Sequence, residues 1–170
     1  MPPHLRLVGA PDSTRSAEEL ISVVLADGHD GVRRSLRQLL DGEEGIEVVA
    51  EASGIDEASR ALRAHRPHVL VLDLTISKRA GRATTGDLLA SAPGTRIVVV
   101  TMNDSPAFAR ALREVGVAGF VLKELADPDL PRAIRAAAEG REYVSPRMAE
   151  RRRVPGNGRG DGHARGERDA

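Results

Sequence analysis

The sequence predicts a single α/β domain, built on a doubly wound parallel sheet of five strands in a (βα)5 arrangement. Short runs rich in β-branched residues occur five times, helical spacing of apolar residues fills the intervals, and the two patterns alternate strictly. Such alternation favours a parallel sheet with helices on both faces, because each crossover helix returns the chain to the same end of the sheet. With 170 residues, the chain is long enough for one ordinary domain of this kind.

The five strands are predicted from short, continuous apolar runs, which are typical of strands buried on both faces of a sheet. These runs lie at 21–26, 46–50, 69–72, 97–100 and 120–122. All strands of a parallel sheet point the same way, so the residues that follow the runs are expected to gather at one edge. Ligands of open α/β sheets bind at that edge, which makes those residues the first candidates for a functional site.

Helices are predicted where apolar residues repeat at about every third or fourth position. A weaker helix is expected at 55–64, where Asp56 and Glu57 suit the positive end of the helix dipole. The crossover at 75–87 is rich in Gly, Thr and Arg, so its helix is expected to begin late, near 87–92. The three clearest sets of helical spacing are Val32, Leu36, Leu39 and Leu40; Phe108, Leu112 and Val115; and Leu130, Ile134 and Ala137.

The composition excludes several classes of protein. The 25 basic residues balance 25 acidic ones, so there is no general positive field for nucleic acid. Cys is absent, which excludes disulfides and thiolate chemistry, and two Phe and one Tyr are too few for a base-stacking surface. No run of about 18 apolar residues is available to cross a membrane, and residues 1–16 lack the apolar stretch of a signal peptide. We therefore expect a cytoplasmic protein with no membrane partner.

Two polar segments flank the predicted domain. Residues 1–18, which contain several Pro, Ser and Thr, are expected to form a flexible leader. Residues 147–170 are rich in Arg and Gly and cannot bury enough apolar surface to offset their ordering entropy. We expect this tail to be disordered, which leaves 19–146 as the folded domain.

Polar side chains follow four of the predicted strands and are expected to converge at one edge of the sheet. Asp27 follows the first strand and Asp73 the third, whereas Thr101 follows the fourth and Lys123 the fifth. Two carboxylates suit a hard cation such as Mg²⁺, and a carboxylate beside it can act as a nucleophile toward a phosphoryl group. The cation, a lysine and a hydroxyl would stabilise the transferred oxygens. Glycine-rich phosphate loops are absent, so a nucleotide site has no support.

Six segments in order along the chain carry a recognisable pattern. They are VVLADGHDGVRRSLRQLL (23–40), IEVVAEA (46–52), RPHVLVLDL (66–74), APGTRIVVVTM (92–102), GVAGFVLKE (116–124) and LPRAIRAAAEGREYVSP (130–146). Each motif alone is weak, but the ordered set covers about three quarters of the chain. Together these segments resemble the receiver domain of bacterial two-component response regulators, particularly the NarL/FixJ subfamily.

This resemblance implies a flavodoxin-like (CheY-like) fold and a role for each strand-end residue. It makes Asp73 the phosphoacceptor and Asp27 an acid associated with Mg²⁺. Thr101 matches the switch hydroxyl, Lys123 the lysine that contacts the phosphoryl group, and Phe120 the aromatic residue that reorients on phosphorylation. A domain of this family accepts a phosphoryl group from a sensor histidine kinase and responds through the face formed by its fourth helix, fifth strand and fifth helix. That face is the predicted contact for a homodimer or a target protein.

The sequence departs from the family pattern at the metal site. The family has a second acid directly after Asp27, where this chain has Gly28, so Mg²⁺ binding is expected to be weakened. Asp27 and Asp73 are left as the predicted metal ligands, with the backbone carbonyl of Thr75 as a possible third. In the loop that follows, Lys78 and Arg79 add positive charge near the site.

Two neighbours of Gly28 are possible replacements for the missing acid. His29 is close enough in sequence to approach the site, but we expect it at the surface. Asp30 is an early residue of the first helix, and we expect it to cap that helix or to face solvent.

Three functions are compatible with these residues. The leading prediction is a phosphorylatable switch, not an enzyme beyond self-catalysed phosphotransfer and dephosphorylation. The second is a pseudo-receiver that binds partners without phosphorylation, because Gly28 weakens the metal site. The third is a truncated transcription regulator, since no helix-turn-helix output domain follows residue 146. We therefore expect no sequence-specific DNA binding by this chain.

Overall fold

The computed structural model describes residues 20–76 and 82–151, which form a parallel sheet covered by helices on both faces. The strands of this part of the chain run in the order β2-β1-β3-β4-β5-β6, and each neighbouring pair is parallel. They are β1 (Ile21–Ala26), β2 (Ile46–Ala52), β3 (Val69–Asp73), β4 (Arg96–Thr101), β5 (Gly119–Leu122) and β6 (Tyr143–Val144). The predicted doubly wound architecture is confirmed.

Helices connect the strands and divide between the two faces of the sheet. They are α1 (Asp30–Asp41), α2 (Ile55–His65), α3 (Arg82–Ser91), α4 (Pro106–Glu114), α5 (Ala126–Ala138) and α6 (Pro146–Arg151). One core cluster joins one side of the strands to α2, α3, α4 and α6, and the other joins the opposite side to α1 and α5. Alternate strand residues serve the two clusters, so that Val24 belongs to the first and Val23 to the second.

The strand order reverses between β1 and β3, and this reversal positions the site. The crossovers that follow these two neighbouring strands carry α1 and α3 to opposite faces of the sheet. A crevice therefore opens at the carboxyl ends of β1 and β3. The first residue after β1 is Asp27 and the last residue of β3 is Asp73, so both acids border this crevice.

The structure corrects two predictions about the elements. The described residues contain six strands rather than five, because β6 adds to the edge of β5. Its amide at Tyr143 donates to the carbonyl of Ala118 at 3.0 Å, and the amide of Ser145 donates to Phe120 at 2.9 Å. Helix α3 begins at Arg82 instead of near residue 87. Its sequence has no clear apolar face, so the apolar spacing did not predict this earlier start.

The folded chain also extends beyond the predicted boundary at 146. Helix α6 lies in the segment expected to be a disordered tail, and its Met148 is 1% exposed within the core cluster of Leu112 and Phe120. Arg147, at the start of this helix, forms an ion pair with Glu124. The predicted leader at 1–18 and the rest of the tail lie outside the described residues.

No helix within the described ranges has the length and apolar character needed to cross a membrane.

Candidate functional site

Three charged side chains meet at the carboxyl edge of the sheet. Lys123 directly follows β5, and its Nζ lies 3.0 Å from Asp27 Oδ2 and 2.8 Å from Asp73 Oδ2. The side chains of Asp27 and Asp73 are 0% and 2% exposed, and that of Lys123 is 15% exposed. Two buried carboxylates thus share one ammonium, which leaves the trio with a net negative charge.

Asp27 is held by hydrogen bonds at both its side chain and its backbone. Its Oδ1 accepts from the amide of His29 at 2.7 Å, a local turn that fixes the carboxylate. Its backbone carbonyl accepts from Arg33 Nη1 at 2.6 Å, and its amide donates to Ala52 at 3.1 Å. The carboxylate is therefore fixed where the chain turns from β1 toward α1.

Asp73 is held by Thr75 as well as by Lys123. The Thr75 amide donates to Asp73 Oδ1 at 3.1 Å, and the Thr75 hydroxyl donates to Oδ2. Burial alone would raise the pKa of Asp73, but the hydrogen bonds from Lys123 and Thr75 outweigh it and lower that pKa below its usual value. Asp73 is consequently an ionised, buried carboxylate with a fixed orientation.

The two carboxylates in turn stabilise the charged form of Lys123. Burial alone would lower the pKa of its ammonium, but the hydrogen bonds to Asp73 and Asp27 outweigh it and raise that pKa above its usual value. The ammonium is therefore charged at neutral pH, and it lies 2.8 Å from the Asp73 carboxylate.

His29 comes closer to the site than the sequence suggested. Its side chain is 64% exposed, as expected of a surface residue, yet its Nδ1 lies 3.3 Å from Asp27 Oδ1 and 3.8 Å from Asp73 Oδ2. Asp30 points away and pairs with Arg33 at 2.7 Å, as a solvent-facing helix residue. The only sequence signal for His29 was its position three residues after the end of the first strand.

Gly28 leaves room for a side chain beside the two acids. A Cβ at this position would lie 3.6 Å from the Cα of Ile76, an ordinary contact, and its φ lies outside the left-handed region. The backbone at position 28 therefore does not require glycine, and an acidic side chain could be accommodated there. Of the groups described near it, Asp27, His29 and Asp73 offer ligand atoms within 4.8 Å of one another.

The two predicted switch residues are placed differently from the acids. Thr101 ends β4 at the same edge, but its hydroxyl accepts from the amide of Asn103 at 3.0 Å and has no described hydrogen bond to Asp73 or Lys123. Phe120 lies in β5, fully buried, next to Val144 and Met148 at the α4 side of the sheet. The predicted residues Lys78 and Arg79 lie outside the described residues.

Comparison with known proteins identifies the family. A family model described as the response regulator receiver domain matches residues 23–135. This chain belongs to the response regulator receiver family. Response regulator GacA of Pseudomonas aeruginosa is 31% identical over 131 residues, which cover 77% of this chain and 61% of GacA. The chain therefore spans about three fifths of the length of such curated relatives.

Solved receivers have the same fold as this one. A two-component response regulator of the LuxR family from Aurantimonas sp. SI85-9A1 superposes with a TM-score of 0.72 at 34% identity, covering 77% of this chain and 94% of that chain. The isolated receiver domain of RcsB from Salmonella enterica serovar Typhimurium, solved with the phosphomimetic BeF3⁻, gives 0.71 at 28% identity, covering 77% and 97%. The predicted fold class is thereby confirmed.

Proposed function

We propose that this receiver is a phosphorylation switch in which Asp73 accepts a phosphoryl group from a sensor histidine kinase. The observation that carries the proposal is the buried, ionised Asp73 carboxylate with Lys123 Nζ at 2.8 Å. An Asp73 oxygen attacks phosphorus, a P–O bond forms, the P–N bond of the kinase's phosphohistidine breaks, and the released imidazole takes a proton from solvent. The ammonium of Lys123 stabilises the negative charge of the transferred oxygens.

A divalent cation belongs to this chemistry, and the donor groups fit one. Asp27 and Asp73 are buried carboxylates with a single lysine between them, so their uncompensated charge favours a cation. These two side chains would hold it, with the Thr75 carbonyl as a further ligand. The ion supplies charge neutralisation between the carboxylate and the incoming anionic group. Because Gly28 provides no second carboxylate, we propose that Mg²⁺ itself is bound weakly.

We propose that the switch acts through Thr101, Phe120 and the α4-β5-α5 face. Thr101 and Phe120 lie in neighbouring strands, so a hydroxyl drawn toward a phosphorylated Asp73 would free space for the ring. That face would then contact a target protein or a second copy of the chain. The activity is a stoichiometric switch in the cytoplasm, with self-catalysed dephosphorylation as its only turnover.

The test is phosphorylation by acetyl phosphate in Mg²⁺, read as a retarded band on a gel that retains phosphoproteins. We expect wild-type protein to shift, Asp73→Asn to remain unshifted, and Asp56→Asn, which removes an exposed acid at the start of α2, to shift like wild type. A band that persists in Asp73→Asn would remove Asp73 from its role.

A pseudo-receiver function is the second candidate, and one observation favours it. Lys123 already bridges Asp27 and Asp73, so an internal cation holds the site together where Gly28 has removed an acid. Such a receiver would bind its partners without phosphorylation. Failure of wild-type protein to become phosphorylated at any Mg²⁺ concentration would favour this candidate.

A further inference from the structure

We propose that this receiver binds a late first-row divalent ion, of the class of Zn²⁺ or Co²⁺, through Asp27, His29 and Asp73. The ligand set is one imidazole nitrogen and two carboxylate oxygens. This inference deepens the proposed function, on which it rests for the role of the site, by naming the class of ion that the site prefers. It arises from the combination of Gly28 and the position of His29.

The distances from His29 Nδ1 to the two carboxylates are close to those between the ligands of a small tetrahedral ion. Ligands about 2.0–2.1 Å from such an ion lie about 3.3–3.4 Å from one another. His29 Nδ1 and Asp27 Oδ1 are already 3.3 Å apart, and His29 Nδ1 and Asp73 Oδ2 are 3.8 Å apart. One oxygen of each carboxylate also lies within 4.8 Å of the other and of the imidazole nitrogen, so a closing movement of these side chains would give three ligands. The fourth position would stay open to water or a phosphoryl oxygen.

The two oxygens of the Asp27 carboxylate face different groups. Oδ1 faces His29, whereas Oδ2 accepts from Lys123 at 3.0 Å. An ion bound on the His29 side therefore leaves the contact between Lys123 and Asp27 intact. At Asp73 the ion would share Oδ2 with the Lys123 ammonium, which lies 2.8 Å away, and with the Thr75 hydroxyl. The exposed His29 ring also lies on the solvent side of two buried acids, which gives the ion a path of entry.

The donor types favour this class of ion over Mg²⁺. Mg²⁺ prefers oxygen ligands in octahedral geometry and keeps several waters, and Gly28 has removed one such oxygen donor from the site. Imidazole is a good ligand for Zn²⁺ and its late first-row neighbours, so His29 adds affinity for them that Mg²⁺ does not gain. Arg33, which donates to the backbone carbonyl of Asp27, is itself paired with Asp30 and Glu51.

The experiment measures metal affinity in the full chain, separately from phosphorylation. Zn²⁺ binding is followed by competition with a chelator, Mg²⁺ binding by calorimetry, and Co²⁺ binding by its visible absorption, which is intense for a tetrahedral site. His29→Ala removes the imidazole but keeps the amide that donates to Asp27 Oδ1. His65→Ala, at the exposed end of α2, is the matched control for stray histidine binding.

We expect His29→Ala to weaken Zn²⁺ and Co²⁺ binding by about tenfold or more, with Mg²⁺ affinity changed less than about twofold. His65→Ala should leave all three affinities at the wild-type values. Gly28→Asp should raise Mg²⁺ affinity more than Zn²⁺ affinity, because the added donor is an oxygen.

Two results would overturn the inference: unchanged Zn²⁺ affinity in His29→Ala, or equal losses for Zn²⁺ and Mg²⁺. Phosphorylation of wild-type Asp73 is scored on the same preparation. Its absence, with the selective loss of Zn²⁺ binding in His29→Ala, would refute the proposed function and retain the metal site. Phosphorylation of Asp73, together with unchanged Zn²⁺ affinity in His29→Ala, would refute the metal site and retain the proposed function.

Discussion

Replacing Lys123 by methionine tests how far one ammonium stabilises the whole domain. Met keeps most of the apolar stem of the side chain and removes the charge that lies 2.8 Å from Asp73 and 3.0 Å from Asp27. Breaking a buried ion pair on one side costs about 3–5 kcal/mol, since it leaves an uncompensated buried charge. Lys123 retains some exposure, so we expect a loss of about 3 kcal/mol in the free energy of unfolding at neutral pH.

The pH dependence of this loss follows from the pKa of Asp73. In the wild type that pKa is lowered, so its contribution to stability is present above the unfolded-state pKa of about 4 and is lost as the pH falls through the folded-state pKa. Without Lys123, burial still raises the pKa of Asp73 and only the two hydrogen bonds from Thr75 oppose it, so this pKa is higher than in the wild type. The variant should then be most destabilised at neutral pH, and the difference from wild type should shrink toward about pH 4.

Urea unfolding followed by circular dichroism at neutral and mildly acidic pH measures both effects. The matched control is Arg37→Met, which breaks the exposed pair with Asp41 at 2.8 Å and should cost less than about 1 kcal/mol. Lys123→Arg, which keeps the charge, should recover part of the loss. If Lys123→Met cost no more than Arg37→Met at neutral pH, the two acids would not depend on the lysine and the reasoning would be refuted.

Three further predictions concern other parts of the structure. Gly28→Asp should tighten Mg²⁺ binding by about tenfold or more, measured by calorimetry, and equal affinities would mean that Gly28 is no deficit. Tyr143 is the only tyrosine and the chain has no tryptophan, so its phenolate absorption can be followed alone. Burial and the hydrogen bond to Asp129 raise its pKa to about 12, against about 10 in the unfolded chain. Stability should therefore fall as the pH rises through this interval, and a midpoint near 10 in the folded protein would contradict the contact. Met148→Ala should lower the free energy of unfolding by about 2–5 kcal/mol in urea titrations, whereas a negligible change would show that α6 does not belong to the core.

The sequence by itself determined the sheet and the residues at its functional edge. Continuous apolar runs identify strands buried on both faces, and parallel strands necessarily bring their carboxyl ends to one side. Asp27, Asp73 and Lys123 follow such runs, so their convergence was predictable from local pattern and topology alone. The resemblance to receivers added roles to these positions.

Only the tertiary structure decided the details that depend on distant parts of the chain. The two residues of β6 are too few to show a period, and they form a strand because β5 offers them free backbone groups. Met148 is buried because α6 packs beside α4, a contact that no local pattern encodes. The approach of His29 to two acids, and the hydrogen bond that Thr101 accepts from Asn103, likewise depend on side-chain rotamers set by packing. Hydrophobic periodicity reports which face of an element is buried, but it does not report which polar atoms meet once the elements have packed.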